Sequence, residues 1–376
     1  MGAVTSRIKL AVAGLGAVAQ SVHLPLIARR WDLFELAAVC DLSPSLRNEL
    51  GAQYGVPAAQ RYADVDHMVA ESGVDGVVLL TSGSHGAAAL SAIQAGVPVF
   101  CEKPLAFTID EAQRLAAAER AFGRPALLLA YMKEYDDAVH RMRERLADVH
   151  GVRAVEVCVL HPTGESQLEF ANLRPVPDDV DAGSVEAISA QRSALLDQAL
   201  GTDASERLRR LYADVVLGSL VHDTSLLRAL FGGFTHIDDA RAWPDDVFPP
   251  SVEVTGELSG AVPARMSWHY LPDYPAYRET LVVHHATGSL QVTFGTPYVL
   301  NAETRLDIVE SADGGELRST FVSTGESFEN ELVDFHRMVT AGTRPRAGIS
   351  HGMADIATSL QIIRALADRY GEKVTT

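Results

Sequence analysis

The chain has 376 residues, 47% hydrophobic and 22% charged, a size and balance that suit two folded α/β domains and exclude long disordered stretches. A formal net charge of -17 argues against nucleic acid and anionic membrane surfaces as partners, because both recruit lysine and arginine. Cys40, Cys101 and Cys158 are odd in number and contain no CxxC pair, so neither a disulfide framework nor a zinc site is expected, and no metal is assigned.

The first 130 residues alternate short apolar runs with amphipathic stretches, which predicts βαβ units around a parallel sheet. Strands are expected over 9–13, 36–40, 76–80, 97–101 and 126–130. The apolar run 10–19 follows Arg7 and Lys9 and ends in Ala17-Val18-Ala19, as a secretory leader would. Its two glycines fit a buried first strand running into a turn, and a cytoplasmic protein is expected. No stretch reaches the ~18 apolar residues of a membrane span. Ser43-Pro44 marks one helix start, and Thr108 with Glu111 forms a capping box that accounts for Glu111 without catalysis.

Beyond about residue 130 the rhythm changes. A helix is expected over 134–147 and a strand over 153–160, then irregular acidic loop at 161–164 and 174–181, with helix again from about 204 to 231. From 235 to 321 several strands are separated by turn residues such as Thr287-Gly288-Ser289, which predicts antiparallel pairing. Two helices close the chain. Phe328, Leu332, Phe335 and Val339 form an apolar stripe on the first of them, expected to pack in the core.

Ala13-Gly14-Leu15-Gly16-Ala17-Val18-Ala19 reads as a GxGxxA turn between the first strand and a helix. Gly14 permits the tight turn and Gly16 lets backbone approach a pyrophosphate, with Leu15, Ala17 and Val18 completing a cradle of amides at the helix start. An ordinary glycine-rich turn would explain the same letters. Asp41 at the end of the second strand, 25 residues beyond Gly16, favours the dinucleotide. A carboxylate there accepts hydrogen bonds from both ribose hydroxyls and repels a 2'-phosphate, so NAD is expected rather than NADP.

The glycine turn, His23-Leu24-Pro25, Asp41, His85, Cys101-Glu102-Lys103-Pro104-Leu105 and Leu220-Val221-His222-Asp223 occur in an order that resembles the family of glucose-fructose oxidoreductases, inositol dehydrogenases and MocA-like proteins. The resemblance extends to 328–335 and Arg344-Pro345-Arg346, and leaves out only about 164–204. It implies an N-terminal Rossmann domain over 1–130 and a C-terminal α+β domain over 131–376, whose open, mainly antiparallel sheet forms homodimers or homotetramers. It also implies an NAD-dependent oxidoreductase moving hydride between nicotinamide and a secondary alcohol or ketone of a sugar, cyclitol or related small molecule. Lys103 then occupies the active-site lysine position, and His222 that of the histidine exchanging a proton with the substrate hydroxyl. The chemistry asks for the same types: a base near neutral pKa for the hydroxyl proton and a cation for the developing oxyanion.

Several positions depart from the family pattern. Many members carry an aspartate four residues before the histidine, where this chain has Gly218. On a regular α-helix neither Asp214, two turns back, nor Asp223, about 100° around, takes its place. Thr81 and Ser82 stand where Thr-Pro-Asn is common; with His85, Glu102 and Lys103 they are expected at the cofactor, although His85 also reads as a helix-start residue. Lys133 reads first as a solvated lysine, with substrate contact as the alternative, and His161 and His269 are candidate substrate contacts from the second domain. Two other functions fit the letters. One is NAD-using chemistry without net redox, namely elimination or glycoside cleavage through a transient ketone; the other is a non-catalytic dinucleotide-binding regulator.

Overall fold

The computed structural model describes residues 6–175 and 177–374, which form two compact units. The first takes the described residues up to Tyr131 together with Ala171–Thr202 and Phe328–Ile356. The second takes Met132–Phe170, Asp203–Ser327 and the residues from Ala357 onward.

In the first unit six strands form a parallel sheet: β1 (Ile8–Ala13), β2 (Phe34–Cys40), β3 (Arg61–Tyr62), β4 (Gly76–Leu79), β5 (Val99–Glu102) and β6 (Leu127–Ala130), in the order β3-β2-β1-β4-β5-β6. Leu10, Ala11, Val12 and Ala13 are fully buried, as a strand covered by helices on both faces requires. β1 pairs with both β2 and β4, so the chain reverses its winding there, and the carboxyl ends of these strands flank the switch point. The expected strands are all present. The two-residue β3 is too short to leave a periodic signal.

Helix starts follow the local chemistry. The Ser43 side chain accepts from the Leu46 amide with Pro44 in the first turn, and Thr108 and Glu111 form the expected capping box. Glu111 does more than cap: Oε1 accepts from the Ser84 hydroxyl at 2.6 Å and Oε2 from the Phe107 amide at 3.1 Å, clasping two loops together. The helix after the glycine turn widens into a π segment over Ala19–His23 before Leu24–Arg29. Pro25, with no N–H and a ring that opposes the carbonyl four residues back, accounts for the widening.

Segment 171–202 returns to this unit through a helix over Ala182–Leu200. Only Leu196, Ala199 and Leu200 are buried on it, so the sequence offers little amphipathic pattern and the helix is missed before 204.

The second unit is built on eight strands: β7 (Val152–His161), β8 (Phe234–Trp243), β9 (Ser251–Leu258), β10 (Val262–Tyr270), β11 (Arg278–His285), β12 (Gly288–Phe294), β13 (Thr304–Ala312) and β14 (Gly315–Ser323). Their order is β14-β13-β12-β11-β7-β10-β9-β8, antiparallel except for the β7 and β10 pair. Trp268 and Glu279 both pair with Val159, which sets the three in one row across β10, β7 and β11. Tyr270 pairs with His161 in the next row on the same face. A Rossmann sheet joined to a mostly antiparallel α+β unit is the fold class expected from the sequence. The expected helix over 204–231 resolves into Glu206–Arg210, a π segment over Leu211–Leu220 and an α-helix over Val221–Phe231. Among the described residues no helix is long and apolar enough to cross a membrane.

Candidate functional site

In the first unit Gly14, Asp41, Thr81, Ser82 and Lys103 follow the carboxyl ends of β1, β2, β4 and β5. Gly14 has φ +87°, and a Cβ there would stand 2.7 Å from the backbone of Leu80 and Thr81, so only glycine lets the chain turn against the end of β4. Gly16 differs. A Cβ on it meets no protein atom within 4 Å, so packing does not require glycine, whereas backbone access for a pyrophosphate does. Asp41 is held beside this turn, Oδ2 accepting from the Leu15 amide and Oδ1 from the Ser43 amide, both at 2.8 Å. The residues present fit a dinucleotide: an amide cradle at a helix start and a carboxylate at the ribose position.

Lys103 leaves β5 from a heavily braced strand end. Glu102 Oε2 accepts from the Lys103 amide at 3.0 Å, while Oε1 meets His23 Nε2 at 3.1 Å in the core. Burial alone would raise the Glu102 pKa. The His23 hydrogen bond and charge, with the Lys103 charge and amide, outweigh it and hold the carboxyl below its ordinary value. His85 is 1% exposed, and its Nδ1 lies 2.7 Å from the Pro104 carbonyl oxygen. Burial lowers its pKa, so it sits there as neutral imidazole. Glu102 and His85 thus brace the lysine segment through backbone bonds. His23, Glu102 and the buried Glu331 bring ligand atoms within 4.8 Å of one another, and the His23 ring packs edge-on to Phe100 and Phe328.

In the second unit Lys133 is 5% exposed, and Nζ donates to Asp223 Oδ1 at 2.9 Å and Glu279 Oε1 at 2.5 Å. The ammonium also stands 5.4 Å from the centre of the Phe294 ring. Tyr277 donates from its hydroxyl to Glu279 Oε2 at 2.5 Å, and its ring meets the His161 ring edge-on. One cation among two buried carboxylates leaves an excess negative charge. Burial pushes Asp223 up to about 8, with the Glu279 charge adding to the rise against the pull of Lys133, so Asp223 holds a proton at neutral pH.

Residues 8–128 match the oxidoreductase family with an NAD-binding Rossmann fold typified by Gfo, Idh and MocA proteins. That match covers the NAD-binding Rossmann part of the chain and makes it similar there to the Gfo/Idh/MocA proteins. Over 148 residues it is 34% identical to an inositol 2-dehydrogenase of Burkholderia ambifaria, covering 39% of this chain and 43% of that protein. The matched part is thus less than half the length of that relative. In fold, the chain is similar to an aldose-aldose oxidoreductase from Caulobacter crescentus, with a TM-score of 0.71 and 20% identity over 99% of this chain and 100% of the other. It is similar also to a scyllo-inositol dehydrogenase from Lactobacillus casei solved with NAD(H) and scyllo-inositol, at TM-score 0.68 and 16% identity over 97% and 98%.

The structure departs from the sequence reading at several of these positions. The reading of Lys133 as a solvated lysine is corrected, since the residue is the centre of a buried ion cluster. Asp223, set aside on the sequence because of its angle around the helix, is one of its two carboxylates. Glu279 and Tyr277 were not anticipated, although a signal existed: by strand alternation Glu279 shares a face with Leu281 and Val283, so a carboxylate stood at a core-facing position. His161 lies on that face beside Trp268, with ring centres 5.1 Å apart. His269, one residue before Tyr270, points to the opposite face and meets Trp243 there, so the sheet separates the two histidines.

His222 is the second residue of the α-helix that continues from the π segment holding Asp214 and Gly218. Bonding from i to i+5 widens the turn, so the α-helical spacing used to place Asp214 two turns away does not apply. A Cβ at Gly218 would lie 3.4 Å from the Ala213 carbonyl oxygen, close but tolerable, and its φ is not in the left-handed region. Gly218→Ala should therefore raise stability by about 1 kcal/mol through helix propensity. A fall in the melting temperature would show that the widened turn needs the glycine.

Proposed function

We propose that the chain is an NAD-dependent oxidoreductase that moves hydride between nicotinamide and a secondary alcohol or ketone of a cyclitol, sugar or related small molecule. The observation that carries this is the convergence of Gly14, Gly16, Asp41 and Lys103 at the carboxyl edge of one parallel sheet, where such folds bind dinucleotides. The inositol 2-dehydrogenase relative and the neighbour bound to NAD(H) and scyllo-inositol support the cofactor and substrate class. The bound nicotinamide supplies the hydride acceptor. Gly14 to Val18, Thr81 and Ser82 hold the dinucleotide, and Asp41 accepts from its ribose. Lys103 donates a hydrogen bond to the reacting oxygen and stabilises its negative charge, and His222 takes the hydroxyl proton as the carbinol hydrogen leaves as hydride. In the second unit His161 and the Lys133 cluster are assigned to the substrate.

Assembly into dimers or tetramers through the open sheet, and a cytoplasmic location, belong to the same proposal. The exposed Leu317 and Phe321 on β14 and the three free cysteines support them. The purified protein, given NAD and a panel of cyclitols, sugars and sugar acids, should produce reduced nicotinamide absorbance with at least one compound. Turnover of a compound without net absorbance change would instead assign the transient-ketone chemistry. Tight NAD binding with no turnover anywhere in the panel would favour a regulator.

A further inference from the structure

Arg174 and Asp179 lie in the part of the chain least like the family, and both meet the segment that follows Asp41. The Arg174 amide donates to Gln20 Oε1 at 2.9 Å, and its guanidinium meets Glu49 at 2.5 Å and Gln53 at 2.9 Å. Five residues on, Asp179 Oδ2 accepts from the Ser45 amide at 2.8 Å. The Ser43 hydroxyl also donates to Asp179, while the Ser43 amide donates to Asp41. Two carboxylates from distant parts of the sequence therefore share one three-residue turn.

That turn has the chemistry of a 2'-phosphate pocket. It offers the Ser45 amide, the Ser43 and Ser45 hydroxyls 3.2 Å apart, and Arg47, whose Nη1 donates to the carbonyl oxygens of Asp41 and Leu42. In dinucleotide folds an acidic residue at the end of the second strand receives the ribose hydroxyls, and an arginine nearby accommodates a 2'-phosphate. Here the Ser45 amide and the Ser43 hydroxyl are already taken by a carboxylate of the same chain.

We propose that Asp179 is a second cofactor-specificity residue: it occupies the donors on the Ser43 to Ser45 turn that a 2'-phosphate would need, and so reserves the Asp41 site for NAD. The inference rests on the NAD reading above and assigns a role to a segment that the family resemblance leaves out. Its physical basis is twofold. A phosphate dianion would have to displace Asp179 from its amide, and it would also meet a negative charge within a few ångströms, worth about tenfold in affinity at a solvated site.

Equilibrium binding of NAD and NADP, followed calorimetrically on the full chain without substrate, tests it. Asp179→Ala and Asp179→Asn should each tighten NADP about tenfold and leave NAD within twofold of wild type, with unchanged melting temperatures. Arg174→Ala, which loosens the same segment without removing the charge from the turn, should move the NAD to NADP ratio less than either. If both Asp179 variants leave NADP binding unchanged while NAD still binds, the inference fails and the NAD reading stands. Equal weakening of both cofactors would reduce Asp179 to a structural latch and also overturn it. Wild-type protein that binds NADP more tightly than NAD, or binds neither, would overturn the NAD reading itself.

Discussion

Replacing Lys103 with alanine should lower turnover by about 10³-fold, with NAD affinity and melting temperature close to wild type. The size follows from the role: a donor aimed at the reacting oxygen acts mainly in the transition state, where negative charge is greatest, so its loss appears in kcat more than in KM. The strand end should survive the change, because Glu102 accepts from the backbone amide of residue 103, which alanine keeps. Lys103→Arg should rescue little, since a planar guanidinium cannot put its charge where a compact ammonium stood. The panel compound with the highest rate is the substrate for this comparison. Wild-type turnover in Lys103→Ala would remove the lysine from the proposed mechanism.

Replacing Lys133 with methionine should destabilise the protein by about 3–5 kcal/mol, the cost of leaving buried carboxylates without their cation. Asp223 and Glu279 are 2% and 1% exposed, so water cannot take over the lost charge. Thermal unfolding by circular dichroism reads the effect. Combining Lys133→Met with Asp223→Leu and Glu279→Leu should recover most of the loss, because an apolar set of similar volume avoids the desolvation cost. A single Lys133→Met variant as stable as wild type would mean that the cluster does not hold the unit together. The same cluster sets a pH dependence. Asp223 is raised in the folded state to about 8, so its contribution is fully present below its unfolded value near 4 and is lost as pH rises through about 8. Wild-type melting temperature should fall across pH 6 to 9 more steeply than that of Asp223→Asn, which imitates the protonated form.

Much of the first unit was legible because its signals are local. Buried parallel strands read as apolar runs, the glycine turn and Asp41 follow them at fixed offsets, and the capping box at Thr108 is complete within four residues. The Glu-Lys-Pro segment marked the lysine, yet nothing in its letters showed what braces it. That support comes from His23, 79 residues away, and from His85, 19 residues before Pro104. The second unit was less legible. Its helix was expected to be regular, and the π segment over Leu211–Leu220 removes the α-helical spacing by which Asp214 was set two turns back.

By itself the sequence determined the parallel sheet, the glycine turn after its first strand with Asp41 at the end of the second, and the place of Lys103 at a strand end, because each depends on residues close together in the chain. Only the tertiary structure decided that Lys133 is buried, since its charge is met by Asp223 and Glu279, 90 and 146 residues away. It likewise decided that His161 and His269 lie on opposite faces, which strand register fixes, and that Asp179 comes to rest on the turn of Asp41. Electrostatic partners of this kind leave no periodicity. They are chosen by where the folded chain brings charge to charge out of water, and that is settled by packing rather than by spacing.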